Sequence, residues 1–296
     1  RKQLRSMGRV SQLAVRAAEL AFEDAGLLGD PLLRSGSVGV ACGSSIGSTP
    51  DISDFAQMLL TGDAPNLNAN SYVRMMPHTT GANVGIFFGL KGRIIPTSTA
   101  CTSGSQGVGF AYEAIKHGYQ DVMLGGGAEE LCASEAMAFD MLYATSRRND
   151  DPGSTPRPYD RDRDGLVIGE GGGMLVLEEL GHARARGARI YAEIVGFATN
   201  SDGSHITRPE EETMRVVMEL ALPLQDTRVL LDHQANTGWP RTFSLFHDPA
   251  IGHDVDDIGP DMVEQPLVMR DDEEGAPLVT QRVHTVRDEL HRIDIE

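Results

Sequence analysis

The stretch RIIPTSTACTSGSQGVGFAYEAIKHG, residues 93–118, decides the fold. It opens as a short apolar strand, breaks at Pro96 into small hydroxyl residues, passes Cys101, and resumes with helical spacing as far as Gly118. A strand that turns sharply into a helix exposes the side chain at the turn and aims unpaired helix N–H groups at it. The partial positive charge at a helix N-terminus favours thiolate over thiol. Ala100, Ser103, Gly104 and Ser105 are small, so a substrate has room to approach. This is the logic of a nucleophile elbow. It suits acyl transfer, in which a thiolate attacks a thioester and keeps the acyl group. The competing reading is a buried structural cysteine, which is common. The local pattern alone leaves both open.

Outward from the elbow, strands and helices alternate. RVSQLAVRAAELAFEDAGL (9–27) has apolar residues at helical spacing and ends at Ala-Gly. SVGVACGSS (37–45) is a short apolar run that breaks at Gly43, the mark of a buried strand and its exit loop. NVGIFFGLKG (83–92) reads as a helix end and a turn. DVMLGGGAEE (121–130) reads as a strand breaking into glycines, and GGGMLVLEELGHARARG (171–187) as a strand leading to a short helix. RIYAEIVGFATNSDG (189–203) is a further strand with a turn. Strands apolar on both faces, interleaved with helices, indicate an α/β sheet covered on both sides. The polar loop SRRNDDPGSTPRPYDRDRDG (146–165), at about 20 residues, exceeds ordinary connections, which marks it as a candidate site or interface lining.

The 296-residue chain carries a formal charge of -17, which argues against nucleic acid or an anionic membrane as its partner. No apolar run reaches the roughly 18 residues of a membrane span, and the basic start RKQLRSMGRV has no apolar core of a signal peptide. The chain does not start with Met, so it is expected to begin inside a longer protein. Three cysteines (Cys42, Cys101 and Cys132), without CxxC spacing, make a disulfide framework or a zinc site improbable. They fit a reducing cytoplasm. Cys42 and Cys132 read as structural. From Pro223 onward the composition shifts: sixteen acidic residues face six arginines and no lysine, a net of -10. Apolar periodicity fades there, as in loose segments.

Several motifs, in order, then identify a family. TSTACTSGSQGVGFAYEAIKHG, DVMLGGGAEELC, RPYDRDRDGLVIGEGGGMLVLEELGHARARGARIYAEIVGFATNSDG and GSSIG resemble the β-ketoacyl-ACP synthases, and among them the elongating type I/II enzymes. The likeness runs nearly continuously from residue 1 to about 222. It implies a thiolase-like fold, a layered α/β/α/β/α arrangement of two similar halves, incomplete in this chain. On that pattern, residues 1–188 form the N-terminal half without its first strand, 189–222 begin the C-terminal half, and 223–296 are a divergent or non-native acidic tail.

The resemblance implies a homodimeric acyltransferase of fatty acid synthesis. An acyl chain passes from acyl carrier protein (ACP) to the cysteine. Malonyl-ACP then decarboxylates, and its carbanion attacks the held thioester in a Claisen condensation. No metal or redox cofactor is needed. Cys101 matches the nucleophile, and its backbone N–H supplies half of an oxyanion hole. Ile46 matches a gate of the acyl pocket, with core packing as the alternative. Met75, Met76, Phe87 and Phe88 either line that pocket or belong to the core. Arg184, Arg186 and Arg189 form a basic cluster, read as a solvated helix end.

The family's second half carries two histidine motifs, a lysine and a glycine-rich loop, none of which this chain reproduces. His233, in RVLLDHQANTGWP (228–240), follows an apolar run as the family's first histidine does, but without the His-Gly-Thr motif. It is a catalytic candidate against chance. His247, His253, His284 and His291 fit no motif. The signal stops at Leu222, inside a helix-like segment rather than at a linker, which favours a displaced reading frame over a genuine domain or a cut fragment. Two other functions compete with the fatty acid synthase: a polyketide-type ketosynthase, and a non-catalytic fragment or partner subunit.

Overall fold

A computed structural model describes residues 3–204, 210–222 and 242–243. The first described helix, α1 (Arg9–Asp24), shows how the sequence pattern becomes packing. Val10, Leu13, Ala14, Ala17, Ala18 and Phe22 recur three or four residues apart and are buried, while Gln12 and Glu23 face water. The helix ends where Gly26 takes a left-handed φ of 68° and the Leu27 N–H turns back to the Phe22 carbonyl at 2.8 Å. The Phe22 ring meets Phe88 edge-on at 5.1 Å and is fully buried. Deleting such a ring costs about 3–5 kcal/mol.

Four strands make the main sheet, in the order β2 (Ile94–Pro96), β1 (Val38–Gly43), β3 (Val122–Glu129), β4 (Gly171–Glu178). β1 runs parallel to both β2 and β3, while β4 is antiparallel to β3. The inner strand β1 is buried along its whole length, and β3 over its first five residues; the edge strands β2 and β4 are not. Strand alternation sends Val38, Val40, Cys42, Val122 and Leu124 into one core with α1 and α4 (Thr79–Phe88). On the opposite face Ala41 and Met123 meet Ala111 and Ala114 of α5 (Ser103–Lys116). Helices therefore cover both faces of the sheet.

The face under α5 is unusually bare. Ala41 of β1, and Gly125 and Gly127 of β3, stand where larger residues would hold the helix away. The glycines lie inside β3 and do not end it, in contrast to the sequence reading of a strand that breaks there. Across from them, a Cβ on Gly107 would lie 2.5 Å from the Gly126 carbonyl and 2.8 Å from that of Ala41. Backbone meets backbone here, and this sinks the N-terminal half of α5 into the sheet.

The connections hold elements that apolar periodicity did not disclose: α2 (Thr49–Thr61), α3 (Ala69–Arg74) and α6 (Ala133–Met141). A partly buried ion pair joins the first two. Arg74 Nη2 lies 2.6 Å from Asp51 Oδ1, and Ser48 Oγ donates to Asp51 Oδ2 at 2.9 Å. Burial opposes ionisation of Asp51, yet the hydrogen bonds from Arg74 and Ser48 outweigh it and hold the carboxyl below its ordinary value. Arg9 forms a bidentate pair with Glu170, which ties the start of α1 to the residue before β4. The long loop 146–165 is organised by Asp164, which accepts from Ser146 Oγ and the Arg147 N–H.

The chain divides into two compact units, one through Glu178 and the other from Glu179. The second contains α7 (Leu180–Ala185), β5 (Glu193–Ile194), α8 (Glu211–Ala221) and β6 (Thr242–Phe243), with β5 and β6 paired in parallel. Of the strand expected over 189–203, only Glu193–Ile194 is extended into a ladder. Arg184 lies in the last turn of α7, where a cation suits the helix dipole, and Arg189 stacks over Tyr191 at 4.4 Å. Among the described residues no helix is long and apolar enough to cross a membrane.

Two stability measurements follow from this packing. Gly107→Ala is expected to lower unfolding free energy by about 1–3 kcal/mol, because the new methyl meets backbone that has nowhere to move; chemical denaturation reads this. Asp51→Asn removes the charge that Arg74 pairs with, leaving its bonds to the Arg5 carbonyl and Ser71, and is expected to cost about 1–2 kcal/mol at neutral pH. A depressed folded-state pKa gives stability that is present above the unfolded value, about 3.9, and is lost as pH falls through the folded one. Denaturation midpoints taken from pH 7 down to pH 3 are therefore expected to fall less steeply in Asp51→Asn than in the parent.

Candidate functional site

Parallel strands β1, β2 and β3 end at the same edge of the sheet, and the residues that follow them form one cluster. Such carboxyl-end crevices are where open α/β sheets place their sites. The loop Ser44–Ser48 follows β1, the elbow with Cys101 follows β2, and Glu129 and Glu130 close β3.

The elbow is built from hydroxyls. Ala100 takes a left-handed φ of 53°, a conformation that costs a residue with a Cβ about 1 kcal/mol. Its carbonyl accepts from the Ser103 N–H at 3.0 Å and from Ser103 Oγ. The same hydroxyl accepts from the Thr99 N–H at 2.9 Å. Thr97 Oγ1 donates to the Ser103 carbonyl at 2.9 Å, and Thr102 Oγ1 to that of Thr99 at 2.8 Å. Thr97 fits because its neighbour on β1 is Gly43: a Cβ there would lie 2.4 Å from the Thr97 carbonyl. The outcome is an exposed Cys101, two residues ahead of the first turn of α5.

Of the small residues around Cys101, Ala100 and Ser105 are exposed, whereas Ser103 is only 5% exposed. Its small size serves the turn instead. Cys42 is wholly buried in the core, and burial pushes its thiol up to about 12. Cys132 is half-buried and caps α6, with Sγ accepting from the Glu135 N–H at 3.3 Å. Of the three thiols, Cys101 alone is exposed at a strand-to-helix turn.

Ile46 is half-buried and belongs to neither apolar core. Its loop is fixed from β3 by two adjacent carboxylates. Glu129 accepts from Ser44 Oγ at 2.9 Å and from the Ser45 N–H; Glu130, buried, accepts from the Thr49 N–H at 2.8 Å and from its hydroxyl. Gly47 follows Ile46 at φ 86°, where a Cβ would lie 2.6 Å from the Met75 carbonyl. Phe88 is part of the main core and Phe87 packs against it, which assigns both to packing. Met75 and Met76 are half-buried.

The sequence reading did not single out Glu129, Glu130 or Thr97. The consecutive acids after an apolar strand were a usable signal, since a buried carboxylate must find donors. Among the described residues no group of three or more His, Cys, Asp or Glu side chains is arranged to hold a metal. His233, His247, His253, His284 and His291 lie outside the described residues.

Comparison with known proteins gives this geometry a context. Residues 1–183 match the family described as "Beta-ketoacyl synthase, N-terminal domain". The crystal structure of a β-ketoacyl synthase from Burkholderia phymatum STM815 is 59% identical in sequence, with a TM-score of 0.73 over 75% of this chain and 54% of that one. The 3-oxoacyl-[acyl-carrier-protein] synthase 2 of Vibrio cholerae is 37% identical over 230 residues, 77% of this chain and 55% of its own length. A type II polyketide ketosynthase, solved with its acyl carrier protein and bound to a hexaketide, is 31% identical with a TM-score of 0.63, over 72% of this chain and 54% of that one. The chain thus spans about half the length of the curated relatives it matches. Its sheet, its covering helices and its motifs from the first loop to the polar loop agree with that match, and the chain belongs to the β-ketoacyl synthase family, with the thiolase-like fold.

Proposed function

We propose that this chain carries the acyl-transfer site of a β-ketoacyl-ACP synthase of fatty acid biosynthesis, with Cys101 as the nucleophile. The observation that carries the reading is the exposed thiol on a left-handed elbow at the head of α5, within a chain of this family. The Cys101 sulfur attacks the thioester carbonyl of an acyl-ACP. A new carbon–sulfur bond forms as the bond to the carrier sulfur breaks, and the carrier thiol leaves with the proton that Cys101 lost. Backbone N–H groups at the elbow stabilise the oxyanion of the intermediate.

Condensation with malonyl-ACP would complete the cycle and lengthen the chain by two carbons. That step asks for a residue to stabilise negative charge on the malonyl thioester, a role for which His233 is the candidate. Ile46, held by Glu129 and Glu130, is the candidate gate for acyl length. The working form is a cytoplasmic homodimer that receives both substrates on ACP. Residues 1–188 are taken as the N-terminal half and 189–222 as the start of the second. A polyketide-type role is the second reading, favoured by the likeness to the ketosynthase solved with its polyketide carrier.

The test is intact-mass spectrometry of the full chain after incubation with an acyl-ACP, beside Cys101→Ala. The expected result is one acyl adduct on the parent and none on the variant. An adduct retained by Cys101→Ala, or none on folded parent protein, contradicts the reading; the second outcome favours a non-catalytic partner subunit. Peptide mapping after treatment with iodoacetamide at pH 8 is expected to show Cys101 modified and Cys42 untouched, since a thiol held near 12 is about 10⁻⁴ ionised there.

A further inference from the structure

We propose that Ser103 is a positioning residue for Cys101, acting through Ala100. The functional meaning of this proposal rests on Cys101 being the nucleophile; its structural content does not. One hydroxyl closes the elbow from both sides. Ser103 Oγ donates to the Ala100 carbonyl and accepts from the Thr99 N–H at 2.9 Å. The Ser103 N–H meets the same Ala100 carbonyl at 3.0 Å, and the Ser103 carbonyl accepts from the buried Thr97 hydroxyl at 2.9 Å.

These bonds span Thr99 and Ala100, and Ala100 is the elbow residue whose backbone is left-handed, at φ 53°. Alanine gains nothing from that conformation by itself, because its Cβ crowds the backbone there. Something must hold it, and Ser103 is the side chain that bonds the peptide before Thr99 and the peptide after Ala100. At 5% exposure its hydroxyl is screened from solvent, so water is poorly placed to replace it. Thr102 also reaches back to Thr99, but it is exposed, and water can take over its bond. Without the Ser103 hydroxyl, Ala100 is released toward the ordinary regions, and the peptide that aims Cys101 turns with it. The fraction of molecules with the thiol at the head of α5 then falls, and thiol reactivity falls in proportion.

The experiment compares Ser103→Thr with Ser103→Val in the full chain, two side chains of nearly equal shape that differ by the hydroxyl. The readout is the second-order rate of Cys101 modification by iodoacetamide, followed by peptide mapping under native conditions. Ser103→Thr is expected to react within about threefold of the parent, and Ser103→Val at least about tenfold more slowly, as for the loss of a buried hydroxyl that both donates and accepts. Ala100→Gly in the Ser103→Val background is expected to recover most of the rate, because glycine takes positive φ without the Cβ clash. A purely structural role for Ser103 predicts no such recovery. If Val is not tolerated at this position, Ser103→Ala removes the hydroxyl with a smaller change and carries the same expectation. Equal rates for the Thr and Val variants, or no recovery with Ala100→Gly, overturn the proposal. Acyl transfer from acyl-ACP is measured on the same proteins. A Thr/Val difference in alkylation without acylation of the parent upholds the positioning role and removes the proposed function. Acylation of the parent with equal alkylation rates does the reverse.

Discussion

The close approach of α5 to a glycine-lined sheet face is the contact on which the site depends. Ordinary strand side chains keep whatever packs on a sheet well away from its backbone; two stacked sheets stand about 10 Å apart for this reason. Here Gly107 meets the carbonyls of Ala41 and Gly126 directly. That depth brings the head of α5 down to the level where β2 ends, so the chain must join strand to helix in a few residues. A tight join of this kind forces one residue into left-handed backbone, and the next, Cys101, is pushed outward. Sheet composition therefore sets the elbow, and the elbow sets the thiol.

The second layer of the design is polar. Three neighbouring strands end together, and their tails are held by hydrogen bonds rather than by apolar packing. Hydroxyls of Thr97, Thr102 and Ser103 fix the tail of β2, while Glu129 and Glu130 reach from β3 to the loop that carries Ile46. A buried carboxylate is costly without donors, and Glu130 has three contacts, from the Val10 and Thr49 N–H groups and the Thr49 hydroxyl. Such bonds are directional, so they fix geometry at a site where apolar side chains would be interchangeable.

How much of this was legible in sequence depends on the element. α1, β1 and α5 were readable because their apolar residues form a regular pattern that ends at glycine, and β4 because an apolar run follows its three opening glycines. α2, α3 and α6 escaped because their burial is slight: α6 buries no residue, and α2 only Asp51. Where packing does not set the pattern, periodicity has nothing to report. Cys101 was legible from its setting between strand and helix. Ser103 was misread as room for substrate because its size was visible and its hydrogen bonds were not. Glu129 and Glu130 needed the register of β3 beside β1, which one sequence does not print.

The most direct test of the claim that sheet depth sets the elbow joins the two ends of the argument. It is the rate of Cys101 carbamidomethylation in Gly107→Ala against the parent, at a temperature where circular dichroism shows both folded. Lifting α5 off the sheet is predicted to slow the reaction several-fold, although residue 107 lies more than one helical turn from the thiol. Equal rates would contradict the account and leave the glycine face as packing alone.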